Sequence, residues 1–143
     1  MAWLAGTNVL SELRKGERCD SGVRAWYTNA QDADLFTSVL VIGEVRRGIE
    51  SVRRRDPVQA AVLDRWLLGL RGSMRDRVLP IDARVAERWG TLNVPDPLPT
   101  VDGLLAATAL VHDFTLVTRN TRDFVTAGVR ILDPFSDRRS IEA

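Results

Sequence analysis

The sequence predicts an α/β sandwich, a short and mainly parallel central sheet flanked by helices. Three observations lead there. Short apolar runs recur between stretches of helical period, the alternation that builds parallel sheets. Helix-start residues such as Ser38, Asp56 and Asp82 directly precede the helical stretches. A length of 143 residues, 45% of them apolar and 27% charged, suits one domain with a real core.

The elements follow in order. Residues 2–5 are an apolar stretch too brief for a helix and read as a buried strand. Thr7 and Asn8 supply a turn and an N-cap for a short helix to about Arg14, which Gly16 ends. Residues 21–30 read as a second helix, with Val23, Trp26 and Tyr27 at helical spacing. Residues 34–37 form the next strand, and Ser38 caps a helix through about Val52. After the basic run Arg53-Arg54-Arg55, Asp56 is a cap and Pro57 takes the first helical position. That helix keeps its period through Val62 and Trp66 to about Leu70. Residues 78–81 are a third strand, and Asp82 caps a helix to about Asn93 with Val85, Ala86 and Trp89 facing inward. Pro95, Pro97 and Pro99 stiffen a loop. Thr100 caps a helix to about His112, residues 115–118 are strand, Asn120 to Phe124 one helical turn, and 129–132 the last strand. A polar tail begins at about residue 134, within a single domain spanning 1–143.

Composition removes several function classes. No apolar run approaches the ~20 residues that cross a membrane, and no secretory signal opens the chain. With Cys19 the sole cysteine and no leader, the expected compartment is the cytoplasm. Cys19 and His112 cannot build a zinc site of cysteines and histidines, so a metal here is held mainly by oxygen. The net charge of +1 argues neither for nor against nucleic acid. Lys15 is the only lysine; arginine suits phosphate, but codon bias in a GC-rich genome is the readier explanation.

Three carboxylates stand out: Glu44, Asp102 and Asp123. Each has an ordinary reading. Asp102 lies in a helix's first turn, where negative charge favours the dipole. Asp123 follows Asn120 at capping-box spacing. Glu44 has Arg47 one turn ahead for a weak ion pair, although its neighbours Leu40 and Val41 make its stripe apolar. All three, with Gly6, fall near strand ends or early in the helices that follow, which brings them to one edge of the sheet. Carboxylates gathered there repel unless a cation intervenes, and Mg²⁺ or Mn²⁺ takes such oxygen ligands. His112 reads as a surface residue at a helix end, and Trp26, Trp66 and Trp89 as core or interface.

The runs that carry these residues are Gly6-Thr7-Asn8-Val9-Leu10-Ser11-Glu12, Asp102-Gly103-Leu104-Leu105-Ala106-Ala107-Thr108-Ala109 and Thr118-Arg119-Asn120-Thr121-Arg122-Asp123-Phe124. Together they resemble the PIN-domain ribonucleases, most closely the VapC toxins of type II toxin–antitoxin pairs. The resemblance implies a PIN-like fold and an Mg²⁺- or Mn²⁺-dependent endoribonuclease in which Glu44, Asp102 and Asp123 hold the metal and carry catalysis. Thr7, Asn8 and Asn120 support the site, though each also reads as a simple cap. The family has aspartate where this chain has Gly6, so a metal ligand is lost and activity is expected to be impaired; the alternative is a non-catalytic PIN module that keeps antitoxin or RNA binding. Further implied are a VapB-type antitoxin as partner, transfer or ribosomal RNA as substrate, DNA binding only through the antitoxin, a homodimer, and no membrane.

Overall fold

A computed structural model describes residues 1–135. Its five strands are β1 (Trp3–Ala5), β2 (Leu35–Ser38), β3 (Val78–Leu79), β4 (Thr115–Val117) and β5 (Ile131–Leu132). They form one sheet in the order β3-β2-β1-β4-β5, and every pairing is parallel. Six helices connect them: α1 (Thr7–Leu13), α2 (Ser21–Asn29), α3 (Val39–Arg53), α4 (Pro57–Ser73), α5 (Ala83–Leu92) and α6 (Thr100–His112). The helices pack in two sets, α1 with α2 and α3 and α3 with α4, apart from α5 with α6. Right-handed crossovers place the first set on one face and the second on the other, because the chain reverses its direction across the sheet after β3. Both faces of a parallel sheet must be covered.

The core follows from this layering. Leu4, Val9, Val41, Leu116 and Val117 are fully buried. Helix α6 is buried almost all round through Gly103, Leu105, Ala106, Ala107, Thr108 and Ala109, which suits a helix apolar on every side. The hydroxyl of Thr108 donates to the Leu104 carbonyl at 2.7 Å, so burying it leaves no unmet donor.

Three expected caps are as the sequence predicts: Ser38, Asp56 and Asp82 each accept a backbone N–H of the helix they precede. Others differ. The N-cap of α1 is Gly6, with no side-chain cap, and that of α6 is Pro99 rather than Thr100. A 3-10 turn spans Arg122–Ala127 behind Thr121, not Asn120. Ala86 is exposed, while Val85 is buried and Trp89 half-buried. The expected tail begins inside the core: Pro134 and Phe135 are buried, and residues from 136 onward lie outside the described residues. In the basic run, Arg53 is tied to the framework, donating with Arg46 to Asp64 at 2.8 Å across α3 and α4. These groups remain solvent-accessible, Arg46 exposed and Arg53 and Asp64 half-buried, so the clamp contributes little stability.

Helix α6 meets α5 at an unusually close point. A Cβ added at Gly103 would stand 3.1 Å from Trp89 Cδ1 and 3.2 Å from its Nε1. Gly103→Ala gains about 1 kcal/mol of helix propensity but overpacks a contact for about 1–3 kcal/mol. We expect a net loss, read as a lower urea midpoint at unchanged m. A Gly103→Ala protein as stable as its parent would show that Trp89 yields freely.

Candidate active site

In an open parallel sheet the crevice lies beyond the carboxyl ends of the strands, where the winding reverses. Here the chain winds from β1 outward through β2 and β3, then returns to β4 on the other side of β1. The crevice therefore opens past Ala5 and Val117, and Gly6 and Thr118 are the first residues beyond them. A pocket of about 270 Å³ lies there, lined by Gly6, Thr7, Asn8, Glu44, Asp102, Thr118 and Asn120, with Leu105, Leu116 and Phe124 as its apolar part.

Gly6 joins sheet to helix. Its N–H donates to the Val117 carbonyl at 3.0 Å, and its carbonyl accepts from Leu10 at 3.2 Å. Its φ of −81° and ψ of 174° are extended, a conformation any residue adopts. A Cβ there would meet the Val117 carbonyl oxygen at 3.4 Å and Thr118 Cβ at 3.7 Å, ordinary contacts. Neither backbone nor space requires glycine.

The side chains expected to cap helices are engaged across the pocket instead. Thr7 Oγ1 donates to Glu44 Oε1 at 2.6 Å. Among the described residues no ion pair joins Glu44 to Arg47. Asn8 Oδ1 accepts from the Arg119 N–H at 3.4 Å, tying the end of β1 to that of β4. Asn120 donates through Nδ2 to Asp123 Oδ2 at 2.7 Å. Thr118, buried and given no role by the sequence, accepts the Asn120 N–H on Oγ1 at 3.1 Å. Its position directly after a strand, inside the run ending at Asp123, is the signal that could have found it.

Burial pushes the Asp102 carboxyl above its usual range, and the neighbouring charge of Asp123, a hydrogen bond shared with Asp123 and the charge of Glu44 push the same way. The structure thus brings Asp123 and Glu44 within electrostatic reach of Asp102. Glu44 and Asp102 line the pocket, and Asp123 reaches it through Asp102. A hard divalent cation suits this all-oxygen donor set and would relieve the repulsion. The set is not drawn tight: among the described residues no three His, Cys, Asp or Glu side chains form a group ready to hold a metal ion. Gly6 leaves the corner beside Thr118 without a carboxylate.

A larger cavity of about 560 Å³, bounded by Leu10, Leu13, Trp66, Leu70 and Met74 with Arg14, Arg24 and Arg77, shares no residue with this pocket. His112 lies half-buried beside Phe114, their rings 5.5 Å apart. Trp26 and Trp66 pack against the core.

The pattern that defines the PIN domain matches residues 6–129. The chain belongs to the PIN domain family. This PIN domain is 33% identical over 137 residues to VapC ribonuclease Y4jK of Sinorhizobium fredii, spanning 90% of the chain and 94% of that protein. It is 28% identical over 141 residues to Toxin FitB of Neisseria gonorrhoeae, spanning 94% and 99%. The crystal structure of FitAcB from Neisseria gonorrhoeae matches it with a TM-score of 0.83 at 28% identity, covering 92% of this chain and 97% of that one. The PIN-like α/β fold expected from the sequence is borne out, with a sheet that is parallel throughout. Among the described residues no helix is long and apolar enough to cross a membrane.

Proposed function

We propose that this PIN domain is the toxin of a type II toxin–antitoxin pair, built as a metal-dependent endoribonuclease and impaired by Gly6. The observation that carries the reading is the switch-point pocket, where Glu44, Asp102 and Asp123 interact and position 6 faces the same space. Relatives named as a ribonuclease and as a toxin support it.

Glu44, Asp102 and Asp123 would hold Mg²⁺ or Mn²⁺. Such an ion supplies a water of lowered pKa and stabilises charge on the scissile phosphate. The protein's own groups orient the ligands: the Thr7 hydroxyl fixes Glu44, the Asn120 amide fixes Asp123, and Thr118 fixes the backbone at Asn120. Asn8 holds the two strand ends at one spacing. Hydrolysis of an RNA phosphodiester in transfer or ribosomal RNA would leave a 5′-phosphate and a 3′-hydroxyl. A second reading, a non-catalytic module that only binds antitoxin or RNA, draws on the missing donor at Gly6 and the loose carboxylate set.

The toxin assignment implies a cytoplasmic homodimer that copurifies with a VapB-type antitoxin encoded beside it, operator DNA being bound only by the complex. Tandem expression with one tagged partner, followed by light scattering on the separated chain, checks both. Failure of the adjacent gene product to copurify would sink the antitoxin partner. A strict monomer at micromolar concentration would sink the dimer.

A further inference from the structure

The arginines of α3 fall into two rows. Arg46 and Arg53 lie on the flank towards α4, where both donate to Asp64. Arg47 and Arg54 lie on the flank that carries Glu44, since positions 44, 47, 51 and 54 follow one side of a helix. Arg54 keeps the helical backbone as the C-cap, with φ of −65° and ψ of −26°. Both arginines are exposed, and among the described residues neither guanidinium has a hydrogen-bond or ion-pair partner. Glu44, one turn before Arg47, takes the Thr7 hydroxyl at 2.6 Å instead. A Cβ added at Gly43 or Gly48, around Arg47, would meet nothing within 4 Å. Among the described residues no other element lies against the helix there.

The lining of the carboxylate pocket holds acids and no cation. An RNA strand entering it meets repulsion from Glu44 and Asp102, so binding needs positive charge beside the pocket. Helix α3 supplies it on the open flank. The Cα–Cβ bonds of a helix tilt towards its N-terminus, so Arg47 sets out towards the turn of Glu44. Arg54 follows about 10 Å further along the axis. Each offers a planar fork of donors that matches phosphate oxygens.

We propose that Arg47 and Arg54 form a track for the backbone phosphates of single-stranded RNA, along which the strand leaves the carboxylate pocket over the open flank of α3. This deepens the ribonuclease reading and rests on it. Backbone contacts position a nucleic acid without reading its sequence, so the track serves any single-stranded RNA.

The test is equilibrium binding of a fluorescent single-stranded RNA oligonucleotide to the whole chain in EDTA, where the RNA stays intact, over a range of salt. Arg47→Ala and Arg54→Ala should each weaken binding roughly tenfold. Each should also flatten the slope of log affinity against log salt by about 0.7, and the double variant by about 1.4. Arg47→Lys should restore the slope but only part of the affinity, because the charge returns without the fork. Arg88→Ala removes the same charge from an exposed position on α5, across the sheet, and should stay within about twofold of the parent. Thermal melts confirm that each variant is folded; glutamine, which keeps most of the stem, replaces alanine at any position where it is not.

Arg47→Ala or Arg54→Ala binding like the parent, Arg88→Ala losing as much, or a folded parent that binds no RNA would each overturn the proposal. So would unchanged RNA binding by the double variant with loss of antitoxin copurification, which would assign the row to the protein partner. Failure of the underlying ribonuclease reading looks different: Gly6→Asp protein would leave RNA uncut in Mn²⁺ while the Arg47 and Arg54 binding results held.

Discussion

Gly6→Asp should raise Mn²⁺- or Mg²⁺-dependent RNA cleavage by roughly 10²–10³-fold or more, the scale of one preorganised electrostatic element in a catalytic site. It should also make expression toxic without the antitoxin. The backbone at position 6 is extended and accepts any residue, and the nearest atoms to an added Cβ are 3.4 and 3.7 Å away, so the side chain enters without displacing its surroundings. Its carboxylate would start from the end of β1, beside Thr118, in the corner of the pocket that now has no carboxylate. Purified Gly6→Asp protein that leaves transfer and ribosomal RNA intact in Mn²⁺ would remove the nuclease reading. Strong EDTA-sensitive cleavage by the Gly6 chain would show instead that the first carboxylate is dispensable.

Asp102→Asn in the Gly6→Asp background should return cleavage to the background level, yet the metal-free protein should be more stable at neutral pH. Both effects have one origin. The folded state holds the Asp102 carboxyl above its ordinary range, first by burial, then through Asp123 and Glu44. A group raised in this way favours folding when protonated, and that contribution is lost as pH rises through its folded pKa. In EDTA the melting temperature of the parent should therefore drop relative to that of Asp102→Asn as pH rises above the ordinary carboxylate range, since a neutral amide neither ionises nor repels. Mn²⁺ should reverse the order. A ligand at 100 times its dissociation constant stabilises by about 2.7 kcal/mol, which the Gly6→Asp protein should gain and the Asp102→Asn variant largely forgo. Equal melting curves for the two proteins across pH would show that Asp102 carries no electrostatic strain.

The sheet and most helix boundaries were legible because they depend on local rules. Ser38, Asp56 and Asp82 begin helices since a short polar side chain can accept an N–H two or three residues ahead. The same rules fail where tertiary partners compete. Thr7 and Asn8 have the residue types of caps, but Thr7 is bonded to a carboxylate 37 residues away and Asn8 to a backbone group 111 away. Asn120 keeps a local partner, but it is the Asp123 side chain three residues on rather than a backbone N–H. All three residues lie in the site, and for Thr7 and Asn8 local preference is overridden by tertiary partners. The carboxylates themselves could be picked out as a set, but their looseness could not, because it depends on which hydroxyl or amide each one faces. Phe135 was hidden for a different reason: a single aromatic in a polar stretch has no period to reveal it.

Position 6 is a hinge made wholly of main chain, one hydrogen bond running into the sheet and one into α1. The side chain takes no part in either. Foldedness does not depend on the side chain there, and under the proposed function a single codon would separate an armed protein from an impaired twin of the same shape. Produced together, the twins would offer an antitoxin the same surface, and the impaired one would act as a decoy that draws it away from the armed one.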